Sequence, residues 1–337
     1  MKQKLIGELV FLLFILGAFG QKLTSSKSFI SKKSQLQHDF QKFKKTYGKS
    51  YDSDEHESYR FNVFVENIKE ADALNNQSTS AKFGITQFTD ITKEEFLNIY
   101  ANSKISTEDS FDSYLQNTSS TDIQVENQID PPQTWDIRIN GPGKLQPIVN
   151  QGGCGSCWAF AVTTAVENQY SINQNLNINL SEQQQVDCVY KRDGCQGGWF
   201  PDAYNYVQKI GLTTEDKYPY TGQYGQCRAQ QMNQFYKISG FVNLPNDHSA
   251  IKQALVSKGA VSVGVDCRLW AQYTSGIFDI DPIYPELNKA ATIIGYGPNY
   301  WLIRNTWGTA WGEQGHIRIA NQKRNTVLTK YSFQPYL

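Results

Sequence analysis

Two short stretches of this chain hold the side chains best suited to chemistry. Gln151-Gly152-Gly153-Cys154-Gly155-Ser156-Cys157-Trp158 brings together an amide and two cysteines. Leu287-Asn288-Lys289-Ala290, followed by Asn305-Thr306-Trp307, brings an amine, a second amide and an indole. A cysteine is nucleophilic as the thiolate, and a helix N-terminus favours that form by presenting partial positive charge. Cys157 is placed for this, because Trp158 to Ile172 reads as a helix with Ala161 and Ala165, and Val162 and Val166, at i, i+4 spacing. Lys289 lies 132 residues and Asn305 148 residues beyond Cys157.

The Cys-Gly-Ser-Cys-Trp run at 154–158, with Asn305 at that spacing, resembles the nucleophile signature of the papain/cathepsin cysteine peptidases. The resemblance implies endopeptidase cleavage of proteins or peptides through an acyl-thioester on Cys157. It assigns Gln151 the side-chain donor of the oxyanion hole, and Asn305 the role of orienting the catalytic base. Trp307 then shields Asn305 and forms the leaving-group side of the cleft. Gly194-Cys195-Gln196-Gly197-Gly198 resembles the loop whose glycines, Gly197 and Gly198, let an extended substrate backbone pair with the enzyme. Trp199, Gly264, Ala290 and Tyr331 are expected to line the pocket for the residue two before the scissile bond, an apolar one.

The chain departs from that family at one position. Where the family has its catalytic histidine, the alignment through Ala290 and Gly295-Tyr296-Gly297 places Lys289. The region after Pro131 contains two histidines, His248 and His316, and neither is expected near the cleft; His248 reads as part of a loop before a helix. A lysine has a reference pKa near 10.4 and is charged at lysosomal or extracellular pH. Lowering it to ~7 costs about 4–5 kcal/mol, and a neighbouring thiolate favours the ammonium further. Such a lysine can hold Cys157 as a thiolate by charge. It cannot take a proton from the deacylating water, and losing acid–base catalysis costs ~10²–10⁴ in rate. The sequence therefore suggests a peptidase with weak or absent hydrolysis, or a pseudopeptidase that binds peptides in a retained cleft.

The surrounding chain is 337 residues long with a formal net charge of zero, which gives no argument for nucleic acid or an acidic membrane as partner. Residues 1–20 read as a secretory signal: Lys2 and Lys4 precede an apolar run, Leu9–Gly20, too short for the ~20 residues a bilayer needs. The mature chain is thus expected to carry no membrane anchor and to enter the secretory pathway, for a lysosome-like lumen or the exterior. In such a compartment the six cysteines read as disulfide partners before metal ligands, and their spacing fits no zinc pattern. Spacing alone leaves the pairing open. The resemblance implies Cys154 with Cys195 and Cys188 with Cys227, leaving Cys157 and Cys267 outside disulfides. No metal or cofactor is expected, and a monomer is.

Between the signal and the cysteines, residues 36–100 are charged and helix-periodic. Phe40, Phe43 and Tyr47 fall on one face, and His56–Asn75 carries Arg60, Phe64, Asn67 and Asn75. These residues resemble the interrupted E-R-F-N-I-N helix of cathepsin propeptides, with His56 and Ala71 at the Glu and Ile positions. Gly84-Ile85-Thr86-Gln87-Phe88-Thr89-Asp90 resembles the G-x-N-x-F-x-D motif, with Thr86 for Asn. Thr92 and Glu95 fit a capping box that opens a helix. An inhibitory propeptide is therefore expected over 21–130, its polar end from 101 a solvated linker. The peptidase domain is expected over 131–337. Asn76, Asn117 and Asn179 begin possible glycan sequons. Helices at Trp158–Ile172, Glu182–Val186 and Pro201–Gln208 precede strands at Val261–Val265, Thr292–Gly295, Tyr300–Arg304 and His316–Ala320. Helices first and strands second suggest an α+β fold of two subdomains, the papain-like fold, with Cys157 and Asn305 facing across the cleft.

Overall fold

The computed structural model describes residues 33–101, 130–141, 143–280, 286–321 and 330–337. The expected signal segment, the linker over 102–129 and Asn117 lie outside them. No helix among the described residues is long and apolar enough to cross a membrane.

The backbone divides into two compact units, residues 1–67 and 68–337. In the first, helix α1 (residues 33–47) lies against the opening turns of α2 (Asp54–Gln77). The Phe40 ring meets those of Phe43, Tyr51, Phe61 and Phe64 at centroid separations of 5.3–6.0 Å, and Lys44 pairs with Glu57 at 2.6 Å. The helical aromatic spacing thus closes a small core.

The second unit begins with the end of α2. There the Asn75 amide closes on both main-chain polar atoms of Phe83, at 2.8 and 2.9 Å. This holds β1 (Lys82–Phe83) in an antiparallel pair with β5 (Tyr273–Ser275). Thr86 donates its hydroxyl to the Ala271 carbonyl at 2.6 Å. Thr92 and Glu95 form the expected capping box on α3 (Lys93–Tyr100). The Phe88 and Phe96 side chains are buried in the core of the sheet side.

Beyond residue 130 come helices α4 (Cys157–Gln174), α5 (Glu182–Cys188) and α6 (Phe200–Lys209). The strands are β2 (Trp135–Asp136), β3 (Gly240–Asn243), β4 (Val261–Val265), β6 (Ile277–Phe278), β7 (Lys289–Gly297), β8 (Tyr300–Arg304), β9 (His316–Ala320) and β10 (Ser332–Tyr336). They form one sheet in the order β3-β10-β4-β7-β8-β9-β6, with β2 added to β7. Strand β7 is longer than its β-branched centre suggests, since Lys289 opens it in register with Val265. His248 is a correction: it is the first residue of helix α7 (His248–Lys258), because Asp247 accepts from Ala250 N and caps it. Helix α4 packs on β7 and β4, and Ser262 on β4 donates to the Ala161 carbonyl at 2.9 Å. Ala161 and Ala165 are small enough to allow that approach. The result is the expected α+β fold, a helical part and a sheet part sharing α4 as their boundary.

Glu167 of α4, Glu182 of α5 and Arg304 of β8 form a buried charged group. Glu167 accepts from Leu180 N at 2.7 Å. Burial pushes its carboxyl up to about 8, with the Leu180 amide and the Arg304 charge acting the other way. The folded protein therefore keeps a proton that the unfolded chain releases near 4.5. That contribution to stability is complete below the unfolded value and is lost as pH rises towards about 8. His316, pushed down to about 4 chiefly by burial, works oppositely and costs stability as pH falls below 6.5. A Glu167→Gln variant isolates the first effect. Its melting temperature should fall less than the native protein's between pH 5 and pH 8; equal falls would refute the assignment.

Candidate active site

Cys157 is the first residue of α4, an 18-residue helix with no acidic side chain in its opening turn to neutralise the positive end. Ser156 stands at the N-cap without a side-chain capping bond, so the helix end is left to act on the thiol. Two disulfides, Cys154–Cys195 and Cys188–Cys227, brace this side. The first holds Gly155 against the Cys195 carbonyl at 2.9 Å, where a Cβ would approach that oxygen to 2.5 Å. Gly198 is likewise required by packing, since a Cβ there would meet the Trp158 indole at 2.4 Å. Gly197 takes φ of 96°, a backbone open to glycine at little cost.

The sheet side arrives through β7 and the turn after β8. Gln151 N donates to the Thr306 carbonyl at 2.8 Å, and Gly308 N to Val149 at 3.0 Å, so the Gln151 loop and the Asn305–Trp307 turn are laced together. Ala290 N donates to Cys157 Sγ at 3.3 Å, placing the thiol against the peptide unit joining Lys289 and Ala290. Lys289 itself is wholly buried. Its Nζ donates to Gln151 Oε1 at 3.0 Å and to Thr306 Oγ1 at 3.2 Å, and lies 4.6 Å from the centre of the Trp307 ring. Burial lowers its pKa, and the charges of Cys157 and Cys267 oppose that shift. The direction differs from the expectation of an ordinary charged lysine, because the sequence carries no measure of how completely the side chain is removed from water. No carboxylate contributes to its electrostatics among the described residues.

Gln151 Nε2 donates to the Cys154 carbonyl at 2.9 Å while its Oε1 accepts from both Lys289 and Thr306. Asn305 is buried and neither atom of its amide has a hydrogen-bond partner among the described residues. Trp199 packs edge-on against Tyr331 at 5.8 Å, beside Ala290. The space that Gly264 leaves is taken up by Leu287, whose Cδ1 would lie 2.1 Å from a Cβ there. Trp307 is buried under Phe88, Phe96 and Tyr100, whose rings meet it edge-on at 5.1, 5.4 and 5.8 Å, and Gln87 donates to its carbonyl at 3.0 Å.

Two participants escaped sequence reasoning. Thr306 follows Asn305 with nothing to mark its hydroxyl as a partner of Lys289. Tyr220 bridges Ser156 Oγ at 2.7 Å and the Gln151 carbonyl at 2.8 Å from a distant loop. Cys267, expected outside the disulfides, is a buried thiol whose pKa burial raises. Among the described residues, no group of three His, Cys, Asp or Glu side chains is arranged to hold a metal ion.

A thiol at a bare helix N-terminus, set directly against β7, beside an indole covered by Phe88, Phe96 and Tyr100 of the preceding chain, fits a cysteine protease proform. Residues 131–335 match the family model "Papain family cysteine protease", and residues 40–96 match "Cathepsin propeptide inhibitor domain (I29)". The chain belongs to the papain family of cysteine proteases and carries the propeptide of a zymogen. It is 34% identical to cysteine proteinase 1 of Dictyostelium discoideum, over 96% of this chain and 98% of that one. It is 35% identical to caricain of Carica papaya, over 89% and 83%. Its fold matches digestive procathepsin L2 proteinase of Tenebrio molitor larval midgut with a TM-score of 0.78 at 30% identity, covering 90% of this chain and 100% of that chain.

Proposed function

We propose that the mature protein is a papain-family endopeptidase in which Lys289 occupies the catalytic histidine position, so that Cys157 is acylated by peptides but hydrolysis is weak or lost. The supporting observation is the orphaned amide of Asn305. A buried polar group without a partner is rare and calls for an explanation, and an absent imidazole supplies one. Lys289 Nζ turns instead to Gln151 and Thr306. Gln151 is thereby held with one amide proton on the Cys154 carbonyl, which weakens the donor that an oxyanion hole requires. That second feature favours the alternative of a pseudopeptidase that binds peptides in the cleft.

In this reading residues 1–20 are a signal peptide, 21–130 the propeptide with its linker, and 131–337 the peptidase domain. The protein works as a monomer in a lysosome-like lumen or outside the cell. The glycines of the Gly197-Gly198 loop present substrate backbone, and Trp199, Ala290 and Gly264 receive an apolar side chain once Leu287 moves aside. The test is to fold the full chain, cut it within 102–129 with an added peptidase, and follow Cys157 alkylation alongside digestion of casein. Alkylation without digestion is expected. Sustained digestion that stops when Cys157 is alkylated would overturn the reading.

A further inference from the structure

The structure places a second nucleophile, the Lys289 amine, on the residue whose peptide bond to Ala290 meets the reactive sulfur. Ala290 N binds Cys157 Sγ, so the thiol sits on the main chain of Lys289 and Ala290. The Lys289 amine is tied through Gln151 to the Cys154 carbonyl, three residues before that thiol. Thr306 Oγ1 and the Trp307 ring hold it from the other side. The amine is thus positioned by three groups, and no carboxylate among the described residues competes for it. Desolvation is also what makes a lysine nucleophilic, since burial raises the fraction without a proton.

We propose that Lys289 is an acyl acceptor, taking the acyl group from a Cys157 thioester by S-to-N transfer and ending as an Nε-acyl-lysine. The inference rests on the reading that hydrolysis is impaired, for it requires a thioester that outlives attack by water. The neutral amine adds to the thioester carbonyl, the C–S bond breaks, and the departing thiolate receives the proton that the nitrogen sheds. Thioester and amine become thiol and amide, with nothing oxidised or reduced and no co-reactant. An amide is resonance-stabilised more than a thioester, so the exchange runs one way. Fixed neighbours react with effective molarities of ~10⁵–10⁸ M when well oriented, which favours the held amine over a diffusing water. The ligand class is the acyl portion of a peptide substrate, and the outcome is a single covalent capture.

The test uses the full chain, folded and then cut within 102–129, with an acetyl-dipeptide p-nitrophenyl ester as probe. Such an ester acylates a thiol without needing an acid for its leaving group. One equivalent of nitrophenolate should be released, and one acyl mass retained through neutral hydroxylamine and mapped to Lys289. In Lys289→Gln the adduct should stay on Cys157 and be lost to hydroxylamine; in Cys157→Ser, Lys289 should remain unmodified. A hydroxylamine-labile adduct on native Cys157 would overturn the transfer and leave impaired hydrolysis standing. Continuous nitrophenolate release without a lasting adduct would overturn both. Equal acylation of Lys289 in Cys157→Ser, or no acylation of a native protein that still alkylates, would overturn the transfer alone.

Discussion

Replacing Lys289 by histidine should raise peptide turnover by ~10²–10⁴, the range that a positioned acid–base group contributes. An imidazole with a pKa near 6.5 can both accept a proton from the deacylating water and return one to the leaving amine. The substitution also relieves two defects at once. The Asn305 amide, without a partner when lysine is present, gains a ring nitrogen to orient. Gln151 Oε1 loses the Lys289 ammonium contact, so the amide can turn its free proton towards a developing oxyanion. The gain should appear chiefly in kcat, because the groups concerned act in the transition state and the walls of the cleft are unchanged. The measurement is steady-state turnover of a peptide amide by both proteins after the same release of the propeptide. Equal kcat values would refute the assignment of Lys289 to the damaged step.

Truncating Phe88 to alanine should loosen the propeptide from the peptidase. Phe88 is buried against Tyr100 and meets Phe96 and Trp307 with the edge-on geometry that favours aromatic pairs. Phe-to-Ala changes in such cores cost ~3–5 kcal/mol. At about 1.4 kcal/mol per factor of ten, the population with the segment lifted should rise by ~10² to ~4 × 10³-fold. The readout is the rate of Cys157 alkylation in the uncut zymogen, which should rise in step. A Gln87→Ala variant, which removes one bond to the Trp307 carbonyl from the same segment, should produce a smaller rise. Unchanged alkylation in Phe88→Ala would show that the aromatic cover does not guard the thiol.

Much of the molecule was legible because its signals are local. The Ala161/Ala165 and Val162/Val166 pairs after Cys157 mark α4, Ser181 caps α5, Thr92 and Glu95 box the start of α3, and the β-branched runs at 261–265 and 300–304 coincide with β4 and β8. Each depends on neighbours within a few residues, so propensity and capping suffice. Where a boundary was missed, a distant partner decided it. Lys289 joins β7 because Val265 of β4 offers it a register position, and a charged residue alone would not suggest a strand.

The amino-acid order by itself determined the class of protein, since residue types and spacings are properties of the chain, and it carries the proposal that Cys157 is the reactive thiol and Lys289 stands at the imidazole position. Tertiary structure alone decided what surrounds that lysine. Its burial, its bonds to Gln151 and Thr306, and the stranded amide of Asn305 arise where the Gln151 loop meets β7 and the turn after β8, more than a hundred residues further along the chain, in a site from which water is excluded. Protonation and nucleophilicity follow that local solvation, which no linear pattern records.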